Sequence, residues 1–336
     1  MRKFNEGNIL KTISKGLFKA SNGEIPNVEL LQGVNEIAAY SFFEYNLSNY
    51  PGSYYDLISL CYKPLSEWEM IRNENYQDKT LLLPDGNLSD FALEITQSKD
   101  NDLIVELMKK FRRDKDGQKK YTYARRFLIE NPVIKMLEFR KKRLNHKFSE
   151  VFEEISGLYE KPPLSSEKNN KYHICESCSW IANFNKYNQK SCSSSSCSND
   201  SIEVAAAESY LRVKKDVMTF VVNPGKAELE ILDKINQFTN IETELWPYFD
   251  AFDIELNSNN EKWALDVKDY IDPKNLAASL EIIPDYGWDK GFYVIPTHRA
   301  NKSYMRAVKN NWEKAQNNVE IISEKDLLKR LEVKFK

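Results

Sequence analysis

Two runs near the C-terminus decide the fold of that part of the chain: Phe249-Asp-Ala-Phe-Asp-Ile-Glu-Leu256 and Trp263-Ala-Leu-Asp-Val-Lys-Asp269. Alternate side chains of a β-strand point to opposite faces of its sheet. One face of the predicted strand pair is apolar and carries Phe252, Ile254, Leu256, Trp263, Leu265 and Val267. The opposite face carries Asp253, Asp266 and Lys268. The pattern therefore predicts a β-hairpin with two acids and a lysine on one side.

The register of this hairpin brings the two acids together. A turn centred on Asn259 and Asn260 pairs Leu256 with Trp263 and puts Asp253 opposite Asp266, since Asn tolerates the positive φ of tight turns. Facing carboxylates repel, and a bound cation removes that cost. Carboxylate oxygens suit Mg²⁺ or Mn²⁺, which would activate a water beside a phosphate. Lys268 would position that water or offset charge in the transition state.

The order Asp253, then Asp266-Val267-Lys268, resembles the PD-(D/E)xK signature of the restriction-endonuclease-like nuclease superfamily. The resemblance implies that Asp253, Asp266 and the Val267 backbone carbonyl bind the metal ion, and that Lys268 is catalytic. It also implies a glutamate from the preceding helix. The chain departs from the signature because Ala251 and Phe252, not a proline, precede Asp253.

A helix that begins after Asn223-Pro-Gly225 supplies that glutamate. Its apolar stripe at helical spacing is Ile231, Leu232, Ile235 and Phe238. Glu228 lies on the same side as the stripe, whereas Glu230 groups with the charged residues of the wet face. We therefore expect Glu228 to be the third acid of the site.

The elements after the hairpin complete an α/β fold. The patterns predict a helix over 273–283, a buried strand over 291–296, a helix over 301–316 and a short strand over 319–322, before a final helix. This order matches the α-β-β-β-α-β core that the superfamily resemblance implies. Lys302, Arg306 and Lys309 fall on neighbouring turns, where they either follow a phosphate backbone or form a solvated face. His298 and Arg299 end the buried strand and are candidates to approach substrate or to form loop hydrogen bonds.

Four of the five cysteines form a second motif, Cys175-x-x-Cys178 with Cys192 and Cys197. Two close thiol pairs predict a structural Cys₄ Zn²⁺ site on a zinc ribbon, whose hairpin would include Phe184 and Tyr187. His173 is an alternative ligand. Two disulfides would need an oxidising compartment, but the chain has neither an apolar leader nor a membrane span, so we expect a cytoplasmic protein. Cys61 stands alone and is expected to be buried.

Basic residues concentrate between Lys109 and Lys147, a segment with fifteen Lys or Arg residues and only four acidic residues. The whole chain, by contrast, has a net charge of -2. Such a segment either contacts nucleic acid in a salt-sensitive way or forms a solvated or partner-binding face. The predicted nucleic-acid contacts, including one from the later helix, are Arg125, Arg126, Arg140, Lys141, Lys142, Arg143 and Arg306.

Length and composition predict three parts. Residues 1–165 form a mostly helical N-terminal domain that binds nucleic acid or a partner, 166–205 the zinc-ribbon segment and 206–336 the nuclease domain. Helical patterns cover 27–45 and 102–113, and Asn131-Pro132 is typical of a helix start. The polar stretch 161–171 is expected to be a linker.

This layout, with Tyr-Ala-Arg-Arg-Phe-Leu-Ile-Glu-Asn-Pro132 before the cysteines and Trp-Ala-Leu-Asp-Val-Lys-Asp269 after them, is similar to the restriction-endonuclease-related protein of prokaryotic PIWI-associated defence islands. The resemblance implies defence against foreign DNA, with a PIWI-type protein and a helicase as partners. We expect a Mg²⁺-dependent endonuclease that cleaves DNA. The alternative is a non-catalytic zinc-ribbon adaptor that binds nucleic acid in a defence complex.

Overall fold

The computed structural model describes residues 5–21, 23–48, 50–74, 76–84, 86–96, 102–145, 149–184, 190–192, 197, 200–258, 261–313 and 315–335. The chain divides into two compact units, Met1–Lys99 and Asp100–Lys336. The functional division at residues 165 and 205 stays a prediction. Within the described ranges, every helix is too short or too polar to cross a membrane.

The first unit is helical in its described residues. Its helices are α1 (Glu6–Ser21), α2 (Val28–Tyr45), α3 (Tyr54–Cys61) and α4 (Asp90–Thr96), with a 3₁₀ turn at Leu65–Glu67. Asn27 caps α2, because its side chain accepts a hydrogen bond from the Leu30 amide at 3.0 Å. Cys61 is fully buried, and burial raises the pKa of its thiol.

The second unit mixes helices and strands. Its helices are α5 (Asp102–Phe111), α6 (Gly117–Glu130), α7 (Met136–Asn145), α8 (Ser149–Ser156), α9 (Lys215–Val217), α10 (Asn223–Ile235), the short turn α11 (Pro247–Asp250), α12 (Pro273–Ser279), α13 (Lys302–Asn311) and α14 (Glu324–Phe335). Its strands are β1 (Val133–Lys135), β2 (Tyr159–Glu160), β3 (Glu167–Lys168), β4 (Lys171–Cys175), β5 (Asn183–Phe184), β6 (Lys190–Ser191), β7 (Ser201–Ala205), β8 (Tyr210–Val213), β9 (Glu242–Leu245), β10 (Ile254–Ser258), β11 (Glu261–Val267), β12 (Lys290–Ile295) and β13 (Val319–Ser323).

A five-stranded sheet with the order β13-β12-β11-β10-β9 organises the C-terminal part. The strands β9, β10 and β11 are antiparallel, whereas β11, β12 and β13 are parallel. Leu256 lies opposite Trp263, which confirms the predicted register. The predicted turn residues Asn259 and Asn260 lie outside the described residues. The sequence patterns missed β9, and the helices α12 and α13 end earlier than predicted.

Both faces of this sheet are buried. Ile254, Leu256, Trp263, Leu265 and Val267 pack into the larger core with residues of α6, α10 and α14. Ala264 and Tyr293 pack on the other side, against α12 and α13. Phe252 also belongs to this second cluster, so its predicted place beside Ile254 was wrong. The alternation rule failed there because the chain bends before β10 begins.

The helix that carries Glu228 begins earlier than the predicted start after Gly225. Helical backbone already runs through α9 and a π-helical turn at Met218–Val222 before α10. Pro224 has no N–H with which to continue an α-helical ladder. A wider π turn just before it lets the chain stay helical through this position.

Two other local predictions were wrong. Val133–Lys135, directly after Asn131-Pro132, forms β1 and pairs with β8, so the next helix starts only at Met136. The predicted linker 161–171 instead contributes β3 and the first residue of β4. Asn169 and Asn170 adopt φ values of 53° and 59°, which suits the tight turn that joins these strands.

Gly225 permits a close approach between α10 and α6. A Cβ atom at this position would lie 2.2 Å from Ile129 Cδ1 and 2.8 Å from Ile129 Cγ1. We expect Gly225→Val to lower the free energy of unfolding by about 1–3 kcal/mol, the usual cost of overpacking. Urea unfolding followed by circular dichroism measures this. Gly157→Ala is the matched control, because a Cβ there meets no atom within 4 Å; equal losses in both variants would contradict the packing argument.

Candidate active site and metal centre

Asp253, directly before β10, lies opposite Asp266, near the end of β11. Asp253 is 7% exposed, and its Oδ2 accepts a hydrogen bond of 2.6 Å from the Val267 amide. Its own amide donates to the Leu265 carbonyl at 3.0 Å. Burial, with the neighbouring Glu228 and Asp266 carboxylates, raises the pKa of Asp253 well above its usual range. The two strands therefore hold two buried carboxylates in mutual repulsion.

Lys268 balances part of this negative charge. Its Nζ donates to Asp266 Oδ1 at 2.7 Å, and its side chain is 19% exposed. Burial by itself lowers the pKa of Lys268, but the Asp266 and Asp253 carboxylates outweigh it and raise the pKa above its usual value. Lys268 is thus a charged hydrogen-bond donor beside the acid pair. Its amide donates to the Val294 carbonyl, which fixes it to β12.

Glu228 faces the core from α10 and is 4% exposed, whereas Glu230 is exposed as predicted. Both of its carboxylate oxygens accept from Arg125 Nη2 at 2.9 Å, and Oε2 also accepts from Trp246 Nε1. Burial raises the pKa of Glu228, although Arg125 opposes the shift. Glu228 is therefore held by an arginine and an indole that the sequence patterns did not place next to it.

Arg125 does not fit the predicted role of phosphate contact. Its side chain is 5% exposed, and it forms an ion pair with Asp250 as well as with Glu228. The guanidinium carbon lies 4.3 Å from the centroid of the Trp246 ring. In the sequence Arg125 looks like one member of a basic run, but its partners lie 103 and more positions away.

The segment 246–250, between β9 and β10, has an unusual backbone. Trp246, Tyr248, Phe249 and Asp250 adopt φ values of 48°, 54°, 56° and 68°. Left-handed backbone costs non-glycine residues roughly 1–2 kcal/mol each. Such strain persists only where surrounding contacts hold it, and it concentrates at functional sites.

Side chains of α6 supply those contacts. Gln118 Nε2 donates to the Trp246 carbonyl at 2.7 Å, and Gln118 Oε1 accepts from the Phe249 amide at 2.6 Å. Tyr121 donates from its hydroxyl to Asp250 Oδ2 at 3.0 Å. The sequence patterns missed Gln118, Tyr121 and Asp250, because hydrogen bonds across more than 125 positions leave no local signal.

The residues after Lys268 extend the site along the sheet edge. Asp269 Oδ1 lies 3.1 Å from His298 Nε2 and 2.8 Å from Arg299 Nε, which join it from the end of β12. Since β11 and β12 are parallel, their carboxyl ends meet at one edge. His298 and Arg299 thus form the loop hydrogen bonds that were one of their two predicted roles.

The four clustered cysteines form the second candidate centre. The sulfur atoms of Cys175, Cys178, Cys192 and Cys197 all lie within 4.8 Å of one another. Thiolates around tetrahedral zinc are about 3.8 Å apart, so these residues fit a structural zinc ion. Over the described residues this is the one group of three or more Cys, His, Asp or Glu side chains close enough for a metal ion, so Glu228 does not join Asp253 and Asp266 in such a group.

The described part of the segment that carries the four cysteines packs into the core of the second unit. Asn183–Phe184 and Lys190–Ser191 form the predicted hairpin, while Tyr187 lies outside the described residues. Cys175, Cys178 and Trp180 are buried in the same core cluster as α10. Lys226 Nζ, from the first turns of α10, donates to the Cys178 carbonyl at 2.6 Å. The cysteine cluster therefore lies against the helix that carries Glu228.

Most other predicted nucleic-acid contacts lie at the surface. Arg126 is exposed on α6, where it pairs with Glu130. Exposed or half-buried positions are also occupied by Arg140, Lys141, Lys142 and Arg143 on α7 and by Arg306 on α13. Lys142 Nζ lies 5.8 Å from the Phe127 ring centroid, and Arg143 pairs with Glu153. Lys147, the last residue of the basic run, lies outside the described residues.

Residues 225–336, which include the acid pair, are similar to a family of restriction-endonuclease type. The model is described as "REase associating with pPIWI_RE". This match confirms the resemblance to the restriction-endonuclease-related protein of PIWI-associated islands. No curated protein and no solved structure matches the chain. The matched segment begins at Gly225, so α6 and the cysteine cluster lie outside it.

The cysteine cluster predicts the metal content of the protein. We expect one zinc ion for each chain, measured by plasma mass spectrometry, and loss of that zinc in Cys178→Ser with a lower melting temperature, because a structural metal contributes folding free energy. Cys61→Ser is the matched control, since Cys61 lies in the first unit. Zinc retained in Cys178→Ser would exclude the four-thiolate site.

The repulsion between buried acids predicts the effect of removing one charge. Without divalent ions, Asp253→Asn should raise the free energy of unfolding by about 1 kcal/mol, because like charges that face each other across strands destabilise the pair. Added Mn²⁺ should raise the melting temperature of the unaltered protein but not of Asp253→Asn. Asp233→Asn, on the exposed side of α10, should behave like the unaltered protein in both conditions. Equal Mn²⁺ shifts in all three would rule out an ion at Asp253.

Proposed function

We propose that this protein is a metal-dependent nuclease that hydrolyses phosphodiester bonds, with DNA as its substrate. One observation carries the proposal. Asp266 and Lys268 form an ion pair next to the buried Asp253, inside the segment that matches a restriction-endonuclease family. A hydrolytic site for a polyanionic phosphodiester needs such acids to bind a cation and such a lysine to offset charge.

The order of elements supports this proposal. From α10 the chain continues through β9, the short turn α11, β10, β11, α12 and β12, which apart from that turn is an α-β-β-β-α-β succession. Asp253 directly precedes β10, Asp266 lies in β11 and Lys268 directly follows β11, an arrangement that is compatible with the PD-(D/E)xK signature. The buried face of α10 supplies Glu228, as that signature implies.

The carboxylates and one backbone carbonyl would hold the catalytic ion. Asp253 and Asp266 offer hard oxygen ligands, and the Val267 carbonyl is the third candidate donor. A Mg²⁺ or Mn²⁺ ion bound there would supply a Lewis acid and a more acidic water. Such ions keep several waters and need only one or two carboxylates, so the pair fits them. Glu228 is proposed as the third acid of the site.

Lys268 is proposed as the catalytic cation. Its ammonium group stays charged at neutral pH because two carboxylates flank it. It would orient the attacking water and offset the charge that develops on the phosphoryl oxygens. Hydrolysis adds the elements of water across the P–O bond, so one fragment leaves with a hydroxyl and the other with a phosphate.

The family match supports a proposal for the setting of this activity. The description of the matched family, association with pPIWI_RE, supports a PIWI-type partner here, and we propose a helicase as a second partner in defence against foreign DNA in the cytoplasm. The exposed arginines and lysines of α7, with Arg126 and Arg306, are proposed to contact phosphates.

A cleavage assay tests the proposal. The unaltered protein should cleave plasmid, linear or single-stranded DNA with Mg²⁺ or Mn²⁺ and not with EDTA. Asp266→Ala and Lys268→Ala should lower the rate by about a hundredfold or more, the scale of losing one transition-state charge contact. Lys329→Ala, exposed on α14, is the matched control and should cleave normally. Metal-stimulated cleavage that survives in both site variants would show that the activity comes from elsewhere.

The runner-up function is a zinc-ribbon adaptor that binds nucleic acid without cleaving it. The exposed basic surface of α7 favours this reading. An adaptor of this kind should show no metal-stimulated cleavage of any DNA or RNA. Its binding to nucleic acid should be abolished by charge reversal of residues 140–143.

A further inference from the structure

One face of α6 reaches the acid site from outside the family-matched segment. Gln118, Tyr121 and Arg125 follow one another at intervals of three and four residues, so their side chains lie along one side of the helix. All three contact the segment 246–250 or Glu228. The nuclease site thus depends on a helix that begins more than 100 residues earlier in the sequence.

Arg125 is the centre of these contacts. Its Nη2 donates to both oxygens of Glu228, while Nη1 pairs with Asp250. Its guanidinium also lies over the Trp246 ring, whose Nε1 donates to the same Glu228 carboxylate. One arginine therefore joins α10 to the strained segment that leads into Asp253.

The charges around Asp253 explain why an arginine is needed. Four carboxylates gather there, from Glu228, Asp250, Asp253 and Asp266, and the cations among them are Arg125 and Lys268. Without Arg125, Glu228 and Asp250 would lose their ion-pair partner while they remain next to the other two carboxylates. They would repel Asp253, and the segment 246–250 would lose the ion pair at its end.

The geometry points to Arg125 as a positioning residue of the nuclease site, which acts through Glu228 and the segment 246–250 to hold Asp253 beside Asp266. This inference rests on the proposed nuclease function. Arg125 is too deeply buried to contact substrate. The family-matched segment is consequently an incomplete site, and α6 supplies its missing part.

Kinetics on three variants test this role. Arg125→Met should lower kcat by about a hundredfold, the loss that follows a misplacement of about 1 Å, and leave KM for DNA nearly unchanged. Arg125→Lys should recover part of the loss, since it keeps a charge but not the planar fork. Arg330→Met is the matched control and should keep full activity, because Arg330 forms a similar bidentate pair with Glu320 at an exposed position of α14. A raised KM with a weaker salt dependence would instead mark Arg125 as a phosphate contact and overturn the inference.

A double variant separates positioning from general stability. If Arg125 acts through Glu228, then Arg125→Met and Glu228→Gln together should lower kcat by little more than the larger single effect, because residues that act as one unit are not additive. Independent, multiplicative losses would contradict this coupling.

Hydrogen exchange tests the same contact without any cleavage. Amides of the peptide 246–254 should exchange faster in Arg125→Met than in the unaltered protein, whereas β12 and β13 should keep their protection. Arg330→Met should leave 246–254 unchanged. Protection of 246–254 that survives in Arg125→Met would overturn the inference, even in a protein that cleaves. If the unaltered protein cleaves nothing, the proposed function fails, and the exchange result still decides whether Arg125 holds the segment.

Discussion

The burial of like charges is the constraint on which the rest of this site depends. A carboxylate that leaves water loses favourable solvation, and a second carboxylate beside it adds repulsion. Asp253 carries both costs, as the raised pKa of its carboxyl group shows. The fold offsets them with two cations and with directed N–H groups, among them the Val267 amide on Asp253. Arg125 comes from α6, whereas Val267 and Lys268 come from the end of β11, so these two elements must meet at this place.

The helix α10 contacts Arg125, α6 and the cysteine-bearing segment. It presents Glu228 to Arg125, packs Gly225 against Ile129 of α6, and sends Lys226 to the Cys178 carbonyl. The cysteine cluster and the acid site therefore contact neighbouring residues of the same helix. A metal ion bound by the cysteines would stabilise the start of α10 and, through it, the position of Glu228. Such an ion would therefore support the acid site structurally.

Local patterns predicted a large part of this arrangement. Alternation of apolar and polar residues was sufficient to pair Leu256 with Trp263, and helical spacing was sufficient to turn Glu228 inward and Glu230 outward. The same rules failed where distant residues decide the outcome. The strand β9 is short and has few strongly apolar residues, so it forms because β10 offers it a partner. The run around Arg125 is basic in sequence, but the Arg125 side chain points into the core because it forms ion pairs with Glu228 and Asp250 there.

Three features that are unfavourable in isolation fall on the same few residues. Facing acids, a buried arginine and four left-handed non-glycine residues each oppose folding when taken alone. Folded proteins keep such conflicts where function requires them and stabilise them by contacts elsewhere. Here these unfavourable features compensate one another. The carboxylates neutralise the buried charge of Arg125, and Arg125 and Lys268 neutralise the charge of the carboxylates. Asp250 reaches Arg125 because its backbone is left-handed. The segment 246–250 is therefore strained as a consequence of delivering a carboxylate to Arg125, and the strain persists because the resulting ion pair is buried.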